Sequence, residues 1–145
     1  MAWGGFVAYW IQIDYERSDY VIDLDRISAF ACAPNGKIIF WLPNSAHQII
    51  INQQGDPEGY HQVLEYIKQV CAHSLAGSWI QVRYERSDYV IDLNRISSFS
   101  HAASGKLTFW LPDSSIPIII NEQTDPESYQ KILDYIKRKT GYVIS

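Results

Sequence analysis

The decapeptide YERSDYVIDL spans Tyr15–Leu24 and recurs without a change at Tyr84–Leu93. It belongs to a longer duplication. Trp10 aligns with Trp79, Gly36 with Gly105, Trp41 with Trp110, Pro57 with Pro126 and Lys68 with Lys137, always 69 residues apart. Residues 10–68 and 79–137 agree at 38 of 59 positions without a gap. That period is too long for a solenoid unit, where each repeat is one supersecondary element. The chain is a small fold written twice.

Each copy reads the same way. Ile11, Ile13 and Tyr15 alternate with Trp10, Gln12 and Asp14, the period-2 pattern of a half-buried strand, and Trp79–Tyr84 repeats it. Glu16-Arg17-Ser18-Asp19 is a polar interruption and predicts a turn before a second strand, Tyr20–Leu24. A third strand is expected over Ile27–Ala33. Pro34-Asn35-Gly36 then predicts a hairpin turn, because Asn-Gly accepts positive φ cheaply. Lys37–Leu42 and His47–Asn52 follow as strands, split by the turn Pro43-Asn44-Ser45. Asp56 is a good N-cap, Pro57 a good first helical residue, and Tyr60, Val63, Leu64 and Ile67 make an apolar helical stripe.

The expected class is therefore α+β. It is a tandem duplication of a meander of four to five antiparallel strands, each copy closed by one C-terminal helix. Residues 6–71 and 75–141 are the two copies, joined by Ala72–Gly77 within one compact unit over 1–145. A unit of this size is marginal alone, so the copies are expected to pack as a pseudo-two-fold pair. In strand order the copy resembles pleckstrin-homology-like domains. The invariant decapeptide has two physical readings. Ser18 or Asp19 holds the turn through backbone N–H groups, or Arg17 and Arg86 recognise an anion.

Composition narrows the function. The chain is 47% hydrophobic and 19% charged, with a formal net charge of −4. An acidic balance argues against a polyanion, since nucleic-acid affinity comes mostly from neutralised phosphates. The basic run Lys137-Arg138-Lys139 is read as the last turn of a helix, favoured there by the dipole, with Gly141 as the C′ residue. No stretch is long and apolar enough to span a bilayer, and Met1–Gly5 lacks the start of a secretory signal. These points predict a cytoplasmic chain. Cys32 and Cys71 lack CxxC spacing and are read as plain thiols.

The duplication also filters chemistry, because a site present in both copies must use matched residues. His47 aligns with Ile116, His61 with Gln130, His73 with Tyr142 and Cys32 with His101. A duplicated Ser-His or Cys-His nucleophile and a duplicated His/Cys zinc site are excluded. The carboxylates Asp14, Glu16, Asp19, Asp23 and Asp25 suggest calcium in the first copy, but Arg83 and Asn94 replace two of them in the second. No metal, no cofactor and no enzymatic activity are expected.

One strand face remains. Trp10, Asp23, Lys37 and Trp41, matched by Trp79, Asp92, Lys106 and Trp110, have the parity opposite to the helix-covered core. Trp with a charged rim suits an interface, either the buried contact between the copies or a surface open to a partner. The expected function is a non-enzymatic protein-binding or structural module. Its partner would be another protein or a second copy, with nucleic acid and membrane disfavoured. The alternative is a small-molecule or enzymatic site between the copies.

Overall fold

A computed structural model describes residues 9–45, 47–72, 78–114 and 116–144. The Met1–Gly5 start, His73, most of the Ala72–Gly77 link and the outermost residues of the expected copies lie outside that set. In the first copy, strands β1 (Trp10–Tyr15), β2 (Ser18–Asp23), β3 (Ala29–Ala33), β4 (Lys37–Trp41) and β5 (Gln48–Asn52) precede helix α1 (Pro57–Ala72). The second copy supplies β6 (Trp79–Tyr84), β7 (Ser87–Asp92), β8 (Phe99–His101), β9 (Lys106–Trp110), β10 (Pro117–Asn121) and α2 (Pro126–Thr140). The α+β class is as read, with ten antiparallel strands in three sheets and two helices.

The five strands of one copy do not form a continuous meander. A 3₁₀ turn, Leu24–Arg26 in the first copy and Leu93–Arg95 in the second, separates the first hairpin from the strands after it. Hairpin β1–β2 stands alone, β10-β9-β8 form a second sheet, and β5-β4-β3-β7-β6 form a third. The likeness to pleckstrin-homology-like strand order ends at that break. The central sheet joins the copies through antiparallel pairing of β3 with β7, in the register Ala29↔Ile91, Phe30↔Val90, Ala31↔Tyr89 and Cys32↔Asp88. A two-fold axis would also pair β2 with β8, and the sheets contain no such ladder among the described residues. The copies thus meet through unlike strands, head to tail.

This topology gives two cores that share one sheet. Phe30, Ile38, Phe40 and Val90 face Ile11, Ile13 and Ile22 of the first hairpin and Val63, Tyr66 and Ile67 of α1. The other face of the same strands carries Ala29, Ala31, Trp41, Ile80, Val82 and Ile91. It packs on Leu107, Phe109, Ile118 and Ile120, with Ile132 and Ile136 of α2. Burial on both faces explains the near-continuous apolar runs of β3 and β4, AFACA and KIIFW. Each helix starts as read. Asp56 accepts from Gly59 N at 2.9 Å and Asp125 from Ser128 N at 3.1 Å, while Gly141 closes α2 at φ 84°.

The repeated decapeptide also resolves. The turn is only Glu16-Arg17, with Ser18 already paired to Tyr15 and Asp19 to Asp14. Both turn residues have positive φ, 50° and 68°, and Glu85 and Arg86 match them at 49° and 70°. That is the geometry of a two-residue primed turn, which Asn-Gly fills without strain. Ser18 and Asp19 are therefore strand residues, not turn caps. One step from the turn the copies differ. Asp14 faces Asp19 across the first hairpin, whereas Arg83 Nη1 contacts Asp88 Oδ1 at 3.2 Å in the second.

Two outcomes follow from these placements. Replacing Glu16-Arg17 by Asn-Gly is expected to stabilise the chain by about 1–2 kcal/mol in urea denaturation, because two left-handed residues are relieved. Trp41, at 9% exposure, fills the shared core, while its counterpart Trp110 is 43% exposed. Trp41→Ala should cost about 3–5 kcal/mol, and Trp110→Ala under about half as much. Equal losses would contradict the head-to-tail arrangement.

Candidate functional site

The residues expected to share one face are divided among the three sheets. Trp10 pairs with Asp23 on the lone hairpin, and Trp79 with Asp92 on the central sheet. Lys37 and Trp41 lie on the central sheet and Lys106 and Trp110 on the third. The 3₁₀ turn causes the split, since it carries the chain from one sheet to the next after each second strand. Trp79 turns inward and stacks on Phe30 at 6.4 Å between ring centroids. Trp10 and Trp110 are exposed. Arg17 and Arg86 sit at the tips of two separate hairpins. Asp23 and Asp92 are N-caps of the 3₁₀ turns, each accepting from a backbone N–H at 3.0 Å, from Asp25 and Asn94 respectively.

Chemistry gathers instead where the copies join. Arg95 reaches back across the junction, donating from Nη2 to Asp25 O at 2.8 Å and from Nη1 to Arg26 O at 3.3 Å. The matched turns Pro43–Ser45 and Pro112–Ser114 meet beside it. Asn44 N donates to Asp113 Oδ1 at 3.0 Å, and the Ser28 hydroxyl to Asp113 Oδ2 at 3.3 Å. Arg26, Asn44, Arg95 and Asp113 line a groove of about 220 Å³. On the other side of the Leu93–Arg95 turn, Ser78, Asn94, Tyr135, Arg138 and Lys139 line a second groove of about 190 Å³. The Tyr135 hydroxyl donates to Asn94 Oδ1 at 2.6 Å, and the Arg138 guanidinium stands 5.9 Å from the Tyr135 ring centroid. Asn94 and Arg95 are chain neighbours, so the two grooves flank one 3₁₀ turn, and the strip along it has Arg26 and Arg95 on one side and Arg138 and Lys139 on the other.

A wider groove of about 520 Å³ has the opposite sign, lined by Asp14, Asp19, Asp56 and Glu58 between the first hairpin and the start of α1. At two matching positions the second copy holds Arg83 and Lys131. Among the described residues no group of His, Cys, Asp and Glu is arranged to hold a metal ion. Burial pushes the Cys32 thiol up to about 11, the reverse of what a nucleophile requires. Burial, then the hydrogen bond it donates to Asp25 at 2.8 Å, also raises the Tyr66 phenol.

Charge is unevenly divided. Residues 6–71 carry eight carboxylates and four Lys or Arg, whereas residues 75–141 carry eight of each. The net negative charge belongs to the first copy. The second is neutral, with half of its cations at the end of α2 and at Arg95. Helix termination accounts for Lys137-Arg138-Lys139 in the sequence, and neither composition nor strand parity singles out Arg26 and Arg95. The available signal was DLDRIS at 23–28 against DLNRIS at 92–97, a matched Arg three residues after a matched cap.

No known family profile matches the chain, and no curated protein matches it in sequence. Among solved structures it is similar to the LytTr DNA-binding domain of a methyl-accepting/DNA response regulator from Bacillus cereus. The TM-score is 0.50 at 11% identity, covering 92% of this chain and 98% of the other. At that identity the likeness concerns the fold. It corrects two expectations, that the chain is a protein-binding module and that nucleic acid is a disfavoured partner. The fold is one that carries DNA binding in the Bacillus protein. Net charge alone does not decide the matter, because a phosphate senses the local field and not a sum over distant carboxylates. No helix among the described residues is long and apolar enough to cross a membrane.

Asp92 beneath the strip yields a pH test. Burial raises its carboxyl above the ordinary 3.8, against the lowering effects of the Asn94 amide and Arg95. A raised folded value means the native state holds this proton more tightly than the unfolded chain. The associated stability is present at low pH and lost as pH climbs from 3.8 through the folded value. Asp92→Asn keeps a cap acceptor and removes the buried charge. It should be more stable than wild type at neutral pH, with the gain vanishing below 3.8 in pH-resolved urea melts.

Proposed function

We propose that the chain is a DNA-binding domain, acting without a catalytic step and, in keeping with that role, in the cytoplasm. The observation that carries this reading is the fold, shared over nearly the whole of both chains with a DNA-binding domain. The strip at the junction supports it and suggests where contact occurs. Arg26, Arg95, Arg138 and Lys139 lie on two matched turns and one helix end, and guanidinium and ammonium groups are the natural partners of backbone phosphates. Arg95 is tied to Asp25 O and Arg26 O, so it would present a fixed charge, while exposed Arg26 can reorient. Asn44 and Asn94 add neutral donors and acceptors at the same place, of the kind that read base edges.

Fluorescence anisotropy with mixed-sequence duplex DNA across a salt series tests the reading. Wild type should bind at low salt, with affinity falling linearly on a log–log plot at about 0.9 per phosphate neutralised. Arg26→Ala should lower that slope by about one. The triple replacement of Lys137, Arg138 and Lys139 by Ala should lower it by about two. Absence of duplex binding at low salt would sink the proposal. Binding that ignores all four substitutions would move the interface elsewhere.

A further inference from the structure

The join between the copies uses the β3 edge of the first and the β7 edge of the second. The same two surfaces exist a second time. β8 is the counterpart of β3, and β2 the counterpart of β7, and both are sheet edges among the described residues. We infer that chains associate head to tail, β8 of one chain pairing antiparallel with β2 of the next. Sheet β10-β9-β8 and hairpin β1–β2 would then close into a five-stranded sheet like the central one.

Matched residues with unmatched burial carry the inference. Val90 is 3% exposed within the join, whereas Val21 is 63% exposed. Trp79 is partly covered and stacked on Phe30, whereas Trp10 is 58% exposed. Trp41 is 9% exposed and Trp110 43%. Three of the large apolar side chains left on the surface are thus the ones whose twins are covered at the internal join. Carrying that register across by 69 residues sets Ser98 opposite Ile22, Phe99 opposite Val21, Ser100 opposite Tyr20 and His101 opposite Asp19 of the next chain. Ala29 and Ala31 become Ser98 and Ser100, which are as small and leave the same clearance. The last pair places an imidazole against a carboxylate where the internal join has Cys32 against Asp88.

Ser98, Ser100 and Thr108 in place of Ala29, Ala31 and Ile39 make this contact more polar than the internal one. The association should therefore be reversible, with Kd in the range of roughly 10–100 μM, as for a small polar interface. Because the surfaces are unlike, the contact is heterologous and gives rings or open arrays, not a two-fold dimer. It leaves DNA binding as the activity and does not depend on it.

Sedimentation velocity over a concentration series, without DNA, tests this. Val21→Lys disables only the β2 edge and Ser98→Lys only the β8 edge. Both positions are exposed, so circular dichroism and thermal melting should match wild type. Wild type is expected to grow beyond the 16.7 kDa chain as concentration rises, and each variant to remain monomeric. An equimolar mixture of the two variants retains one free edge of each kind and should stop at a dimer. A monomeric wild type up to about ten times that Kd range would overturn the inference. So would oligomers that survive either substitution, or a mixture that stays monomeric.

Discussion

The β3–β7 ladder is the contact on which the rest of the molecule depends. It places strands from both copies in one sheet and thereby gives that sheet two apolar faces to cover. One face is covered by the first hairpin and α1, the other by β8–β10 and α2. The first helix does not pack against its own copy alone, since α1 touches β6 as well as β1 and β5. Duplication of a unit near the lower size limit for independent folding is stabilising through this sharing, because the central strands bury area on both sides. The two matched Pro turns, brought together by Asp113, sit beside the same ladder, and so does the Arg95 bridge.

The ladder also determines where the cations lie. Crossing from β2 to β3, and from β7 to β8, each copy makes a 3₁₀ turn with an Asp cap and an Arg at its end. Head-to-tail packing brings those two turns into contact, so Arg26 and Arg95 share one groove. The N-cap carboxylates beneath them hold the turns closed. An acidic chain thereby keeps a short cationic strip, and its net negative charge lies on the first copy.

Much of the fold was legible in the residues. The 69-residue offset, the alternating strands, the Asp-Pro helix starts and Gly141 all correspond to observed elements. What alternation does not encode is which strand edges meet. Parity places Trp10 and Trp41 on the same side of their strands, but it is blind to a break between sheets, and the 3₁₀ turn at Leu24–Arg26 makes that break. A readable hint existed in the differences between copies. Ala29, Ala31 and Ile39 are apolar where Ser98, Ser100 and Thr108 are polar, which marks the covered outer face as belonging to the first copy. The cationic strip was harder to see, because Arg26 and Lys139 are distant in sequence and come to the two sides of one 3₁₀ turn only through the topology.

The two hairpins respond oppositely to ionic strength. Across the first, Asp14 faces Asp19 and the like charges repel; across the second, Arg83 and Asp88 attract. Added salt screens both pairs, relaxing the first and loosening the second, by amounts of the same order since all four groups are solvent-accessible. These opposed responses leave little net effect of salt on the hairpins. The scaffold beneath the cationic strip is in this respect indifferent to the ionic medium, while any contact it makes with a polyelectrolyte is acutely sensitive to it.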